Sequence, residues 1–341
     1  MADGSVIIDS RLDSSGFEKG LQNLGGIAQK GLGIVSTGIA AVSAGLTAAG
    51  GFAVKAGMSF DSAMSQVAAT MGTTVDQIGV LSDVAKEMGA TTAFSATEAA
   101  EALNYLALAG YDAATAADTL PAVLNLAAAG GMDLAYASDL ATDAMSALGI
   151  EASNANLTEF GDKMAMTASK ANTSVAQLGE AILSVGGTAK SLAGGTTELN
   201  TALGVLANRG IKGAEGGTHL RNVILALTAP TDKAAEAMKA LGISATDSSG
   251  NMRPLNEILA DFNTKMAGMS EAAKTQALNE IFNKTDLAAV QGLLAGVGDE
   301  WDKLAGSISN AGGAMQTMAD TQLDNLEGDI TILKSALEGL G

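Results

Sequence analysis

The chain has 341 residues, of which 47% are apolar but only 3% aromatic, so its core must come from Ala, Leu, Met and Val. A formal net charge of −18 argues against binding to nucleic-acid phosphates, which requires a basic surface. The absence of cysteine removes disulfides, thiol nucleophiles and thiolate metal sites.

The N-terminus, MADGSVIIDSRLD, is acidic and alternating and lacks the basic start and apolar centre of a secretory signal. Val6–Asp13 reads as a strand and Phe17–Leu24 as a short helix, together a segment 1–30. Residues 31–54, GLGIVSTGIAAVSAGLTAAGGFAV, then run for 24 residues without a charge between Lys30 and Lys55. A membrane helix needs roughly 20 mostly apolar residues. Here six Gly, six Ala and four Ser or Thr leave eight larger apolar side chains, which makes a marginal span. Ala41, Gly45 and Ala49 repeat at four-residue spacing, which lets helix backbones pack closely. Segment 31–57 is therefore expected to be a helix that packs on copies of itself, with membrane entry conditional on release.

From residue 58 apolar residues recur at helical steps, with start and stop signals. Phe60, Met64 and Val67 form a stripe closed by Gly72. Thr74 and Gln77 resemble a capping box ahead of Ile78, Leu81, Ala85 and Met88, closed by Gly89. Ser95 and Glu98 form a better box, leading to a stop at Gly110. Pro121 is expected to break or kink the next helix. Further helices run from Asp133 to Gly149, through Phe160 and Met164, from Ser174 through Val185, and from Thr197 to Gly210. Met64, Met88, Met145 and Met164 read as adaptable core filler. Residues 243–254, ISATDSSGNMRP, read as a small β-hairpin with a three-residue turn, and Pro254 opens a helix carrying Leu255, Ile258, Phe262 and Met266. Beyond Asp299 the helices are expected to lengthen, with Leu323, Leu326, Ile330, Leu333 and Leu337 on one face. The expected class is mainly all-α: a core helical domain over 58–298 and a helical extension over 299–341 that continues in a longer chain.

Three stretches invite a chemical reading. Gly210–Asn222, GIKGAEGGTHLRN, is glycine-rich, but Lys212 precedes Gly213 and Ala214 instead of lying in the Gly-Lys-Ser/Thr order of a phosphate loop. A tight turn between two helices is expected there. His219 is the only histidine, and one His without companion ligands makes a poor metal site. Adjacent acids such as Asp299–Glu300 do not face each other on a helix, so a solvated face is expected. No catalytic, cofactor or metal site is expected.

Several segments together resemble the core region of phage tail tape measure proteins. They are FDSAMSQVAATMGTT (60–74), MGATTAFSATEAAEALNYLALAGYD (88–112), LNLAAAGGMDLAYASDLATDAMSALGI (124–150), TASKANTSVAQLGEAILSVGGTA (167–189) and GVLANRGIKGAEGGTHLRNVILAL (204–227). LGISATDSSGNMRPLNEIL (241–259) and LDNLEGDITILKSALEGL (323–340) extend the likeness, which is collinear over roughly residues 55–341. It marks Gly210, Gly213, Gly216, Gly217, Thr218 and Arg221 as a signature turn. The resemblance implies a structural protein of the tail lumen that sets tail length and leaves ahead of the genome. It also implies tail tube protein, tail assembly chaperones and baseplate or tail-tip proteins as partners, self-association, and conditional contact with the host membrane. The acidic surface suits a channel that DNA must follow. Fully helical, the chain would span about 500 Å, but its Gly, Pro and hairpin interruptions forbid that, so a length-measuring segment is expected after residue 341. A membrane-active, pore-forming helical protein and a muralytic enzyme are the competing readings.

Overall fold

The computed structural model describes residues 46–324 and Ser335. The expected strand at Val6–Asp13, the helix at Phe17–Leu24, Ala41, Gly45 and the stripe Leu326, Ile330, Leu333 and Leu337 lie outside the described residues. Ala49 falls in the first described helix.

The described residues form fifteen α-helices and no strand. They are α1 (Leu46–Thr70), α2 (Gly79–Thr91), α3 (Ala96–Leu108), α4 (Ala113–Gly130), α5 (Leu134–Leu148), α6 (Asn154–Lys170), α7 (Val175–Val185) and α8 (Gly195–Ala207). There follow α9 (Gly213–Thr228), α10 (Asp232–Leu241), α11 (Leu255–Met266), α12 (Glu271–Ile281), α13 (Leu287–Gly296), α14 (Asp299–Ser309) and α15 (Ala314–Leu323). Local chemistry sets many boundaries. Ser95 and Glu98 make the reciprocal capping box at α3. The side chains of Asp112, Asp133, Ser153 and Ser174 cap α4 to α7 by accepting from the third residue on. Gly131 and Gly149 end α4 and α5 in the left-handed conformation that glycine adopts at no steric cost.

A single apolar cluster runs from Phe60 to Ala319. At its centre is α8, which buries every residue from Glu198 to Ala207 and packs against α6 and α14. On one side α1 and α2 pack on α3, and α3 on α4 and α5; on the other, α9 lies along α7. Phe262 and Phe282 meet with ring centroids 5.8 Å apart. Phe60, Phe160 and Trp301 are also buried, and the rest of the core is mainly aliphatic side chains, methionine and alanine, as the composition requires.

Four boundaries differ from expectation. Pro121 neither breaks nor ends its helix: α4 runs through it to Gly130, because Leu120, Ala122, Val123 and Leu124 around it are all buried. Gly89 does not stop α2, which continues to Thr91; a Cβ there would lie 2.5 Å from the backbone nitrogen of Ala96, so this glycine lets α3 start against α2. The hairpin shrinks to one antiparallel bridge, Thr246–Met252. Two backbone hydrogen bonds flank the bridge, Asp247 N–H to Asn251 O at 2.8 Å and Arg253 N–H to Ala245 O at 3.0 Å, and the Asp247 carboxylate organises the turn by accepting from the Ser249 and Asn251 N–H groups at 2.8 and 2.9 Å. The run from Asp299 is not one long helix: Gly312 and Gly313 (φ +79°) separate α14 from α15. Both helices pack on α6, with α14 also on α8 and α15 on α4, so the body extends past the boundary expected at 298.

Candidate functional site

The segment expected to be a signature turn is mostly helix. Gly210 (φ +82°) and Gly213 (φ +62°) turn the chain between α8 and α9, while Gly216, Gly217, Thr218 and Arg221 lie within α9. Gly217 marks the crossing of α9 over α7: a Cβ would lie 2.0 Å from the Ala181 carbonyl oxygen and 2.8 Å from its Cα. A Cβ on Gly216 would lie 2.9 Å from the Ile211 carbonyl oxygen. Arg221 donates to the Ser184 carbonyl of α7 at 3.2 Å, and Thr218 to Ala214 of its own helix at 2.8 Å. Gly210 and Gly213 thus supply the positive φ of the turn, and Gly216 and Gly217 the close approach that a missing Cβ allows.

His219 faces the other way. Its Nδ1 lies 2.7 Å from Oδ1 of Asp286, a carboxylate with 2% side-chain exposure, and Asn222 donates to the same carboxylate at 3.1 and 3.3 Å. Asp286 ends the 3₁₀ turn Lys284–Asp286 that leads into α13. The histidine is thus a clamp between α9 and the start of α13. A hydrolytic triad holds imidazole between an acid and a nucleophile; here Nε2 faces a second carboxylate, Glu215, at 3.8 Å. Lys212, the residue a phosphate loop would need, donates to the Asn172 carbonyl at 3.3 Å.

Just before the turn, Arg209 makes a two-pronged pair with Glu300 of α14, at 2.9 and 2.7 Å. Gly292 of α13 admits the arginine, since a Cβ there would lie 2.9 Å from Arg209 Cδ. Asn208 donates to Glu300 at 2.9 Å and accepts from the Asn172 N–H at 2.9 Å. The hydrogen bonds from Arg209 hold the Glu300 carboxyl below the usual glutamate range, against its partial burial. Asp299 stays exposed, as expected, but Glu300 does not belong to a solvated face. Residues 208–222 therefore tie α6, α7, α13 and α14 to one turn.

Besides Asp286, two buried carboxylates escaped the sequence reading. Asp162 of α6 accepts from the backbone N–H groups of Gly313 and Met315 at 2.8 Å each. Glu198 of α8 accepts from Gly194 N–H at 2.9 Å and from Leu255 N–H at the start of α11. Burial pushes the Glu198 carboxyl up, against the pull of those two donors. A weak signal was present: Asp162 lies between Phe160 and Met164, the two residues that define the buried stripe. Among the described residues no group of three His, Cys, Asp or Glu side chains is placed to hold a metal ion. Nor is any helix among them long and apolar enough to cross a membrane.

This arrangement joins helices α7, α9, α13 and α14. Residues 82–283, more than half of the chain, match the model of the phage-related minor tail protein family. The chain belongs to that family. Two relatives within it narrow the description. A tape measure protein of Pneumococcus phage Dp-1 is 33% identical over 287 residues, covering 84% of this chain and 25% of the relative. A probable tape measure protein of Escherichia phage P2 is 30% identical over 293 residues, covering 84% of this chain and 35% of the relative. The chain spans about a quarter to a third of these relatives. The earlier resemblance and the all-α class both hold: this is a helical phage tail protein of tape measure type. No solved structure matches the chain.

Proposed function

We propose that the chain is the folded region of a tape measure protein, a structural component of the phage tail that works in the tube lumen, sets tail length and leaves ahead of the genome. The observation that carries this reading is likeness over 84% of the chain to two proteins bearing that name. Its partners in this reading are tail tube protein, tail assembly chaperones and baseplate or tail-tip proteins, with further copies of itself. The test is biochemical: the chain should copurify with tail-tube subunits from purified particles, and deleting its gene should abolish tails of uniform length. Normal tails without the protein would refute the reading.

The fold assigns this region a particular part in that function. A ruler built of continuous helix gains about 1.5 Å per residue. The described helices are 10 to 25 residues long and double back on one another, so their length does not add. Measurement then belongs to segments other than residues 58–324. Inserting about 35 helix-forming residues at 310–313 should leave tail length unchanged, whereas a ruler segment would lengthen it by about 50 Å.

A further inference from the structure

Helix α15 is held differently from its neighbours. Two of its ten residues, Met315 and Ala319, are buried. The Asp162 carboxylate clamps its first turn, and Gly161 makes room for Met315, since a Cβ there would lie 2.2 Å from the Met315 sulfur. Ala314 and Met318 pack half-buried against the core, and the other ties are polar: Asn125 donates to Gln316 at 2.8 Å, and Gln322 donates to the Ala129 carbonyl at 2.7 Å. Beside α15 lies a groove of about 580 Å³, lined by Met88, Phe94, Pro121, Leu124, Ala128 and Leu323. The helix therefore forms one wall of an open groove instead of filling a closed seam. At the rim of the same groove the Ser335 hydroxyl, itself buried, donates to the Ala93 carbonyl at 2.9 Å.

We propose that α15 is a detachable strap, which opens as a unit before the helices beneath it, and that the Asp162 carboxylate is its latch. Sub-global opening follows sparse apolar contact, and α15 has far less of that than α8. Of α1 to α15, α15 is the first that a pull from the C-terminal side reaches, after the Ser335–Ala93 contact. Its release bares the faces of α4 and α6 that it covers and widens the groove, while the burial around α8 persists. The fold thus carries an order of opening that starts at this end. That such an order serves unthreading from a tail tube rests on the functional reading above; the opening itself does not.

Amide hydrogen exchange on the whole chain tests the strap. In the wild type, α15 amides should exchange at least about 10-fold faster than those of α6 and α8. Asp162→Ala should speed α15 by a further ~10- to 100-fold, from the loss of two hydrogen bonds to a charged acceptor, and leave α8 unchanged. Asp162→Asn, which keeps the shape and one acceptor oxygen, should fall between. Equal exchange of α15 and α8 in the wild type, or equal acceleration of both by either variant, overturns the proposal. The wild-type comparison decides on its own if Asp162→Ala does not fold. These outcomes are independent of whether the chain copurifies with tail-tube subunits, so failure of either idea is separately visible.

Discussion

Replacing Gly217 by alanine separates helix propensity from helix crossing. In a helix interior Gly→Ala ordinarily gains about 1 kcal/mol. At Gly217 the new methyl would lie 2.0 Å from the Ala181 carbonyl oxygen, 2.7 Å from its carbonyl carbon and 2.8 Å from its Cα. All three are backbone atoms of α7, so no side-chain rotation relieves the contact. Restoring a normal carbon–oxygen distance requires the helices to part by more than about 1 Å, and cores resist such overpacking by roughly 1–3 kcal/mol or more. The clash wins, and Gly217→Ala should destabilise by about 1–3 kcal/mol despite its better propensity. Gly306 is the control: it is interior to α14, and a Cβ there meets nothing within 4 Å. Gly306→Ala should stabilise by about 0.5–1 kcal/mol. Urea unfolding followed by circular dichroism measures both. A Gly217→Ala protein as stable as the wild type, with an unchanged denaturant slope, would refute the crossing argument.

Ser95→Ala should cost about 1 kcal/mol by removing the α3 cap, and the same urea titration reads it. Glu198→Ala leaves the buried Leu255 N–H without its acceptor, for about 1–3 kcal/mol, and also frees the exposed Gly194 N–H to water. Because burial raises the Glu198 carboxyl above its unfolded value, the fold penalises its ionised form. Stability of the wild type relative to Glu198→Gln should therefore rise as pH falls through the folded value towards the unfolded one, near 4.5. Glu300 has the opposite sign: its carboxyl is lowered, so its contribution is present above about 4.5 and lost as pH falls through the lower folded value. Arg209→Met should flatten that acid limb in a pH series of urea midpoints, and an unaltered limb would show that the pair does not couple to folding.

What could be read from the chain was what short-range chemistry decides. The Ser95–Glu98 box, the Asp133 cap and the Gly149 stop each depend on residues within one or two turns. The stripes Phe60–Met64–Val67 and Leu178–Ile182–Val185 were legible because burial repeats with the helix period. Misreadings arose where the deciding partner is remote. Gly89 looks like a helix stop, and Gly217 like part of a turn, until Ala96 and Ala181 are seen against them. Glu300 looks solvated until Arg209, 91 residues earlier, reaches it. Pro121 looks like a breaker until the burial on both sides is known. The hairpin was legible from its turn residues, but it is only one bridge long, with the Asp247 carboxylate holding the turn N–H groups.

The charge balance also has a structural answer. The chain carries 37 acidic and 19 basic residues, and the buried carboxylates of Asp162 and Glu198 are met by backbone N–H groups. Many short helices supply such partners, because each N-terminus presents unpaired N–H groups and a partial positive charge. Asp118 of α4 accepts from Asn154 at the start of α6 at 2.8 Å. Asp162 of α6 does the same for the start of α15, and Glu198 of α8 for the start of α11. Each joins residues at least 36 positions apart, so the carboxylate fixes tertiary position as well as capping a helix. The cations are then placed where a fork or a reach is needed, as in Arg209 on Glu300 and Lys163 on Glu159 and Thr196. Helix N-termini thus serve as partners for the buried Asp162 and Glu198 and for the exposed Asp118 alike.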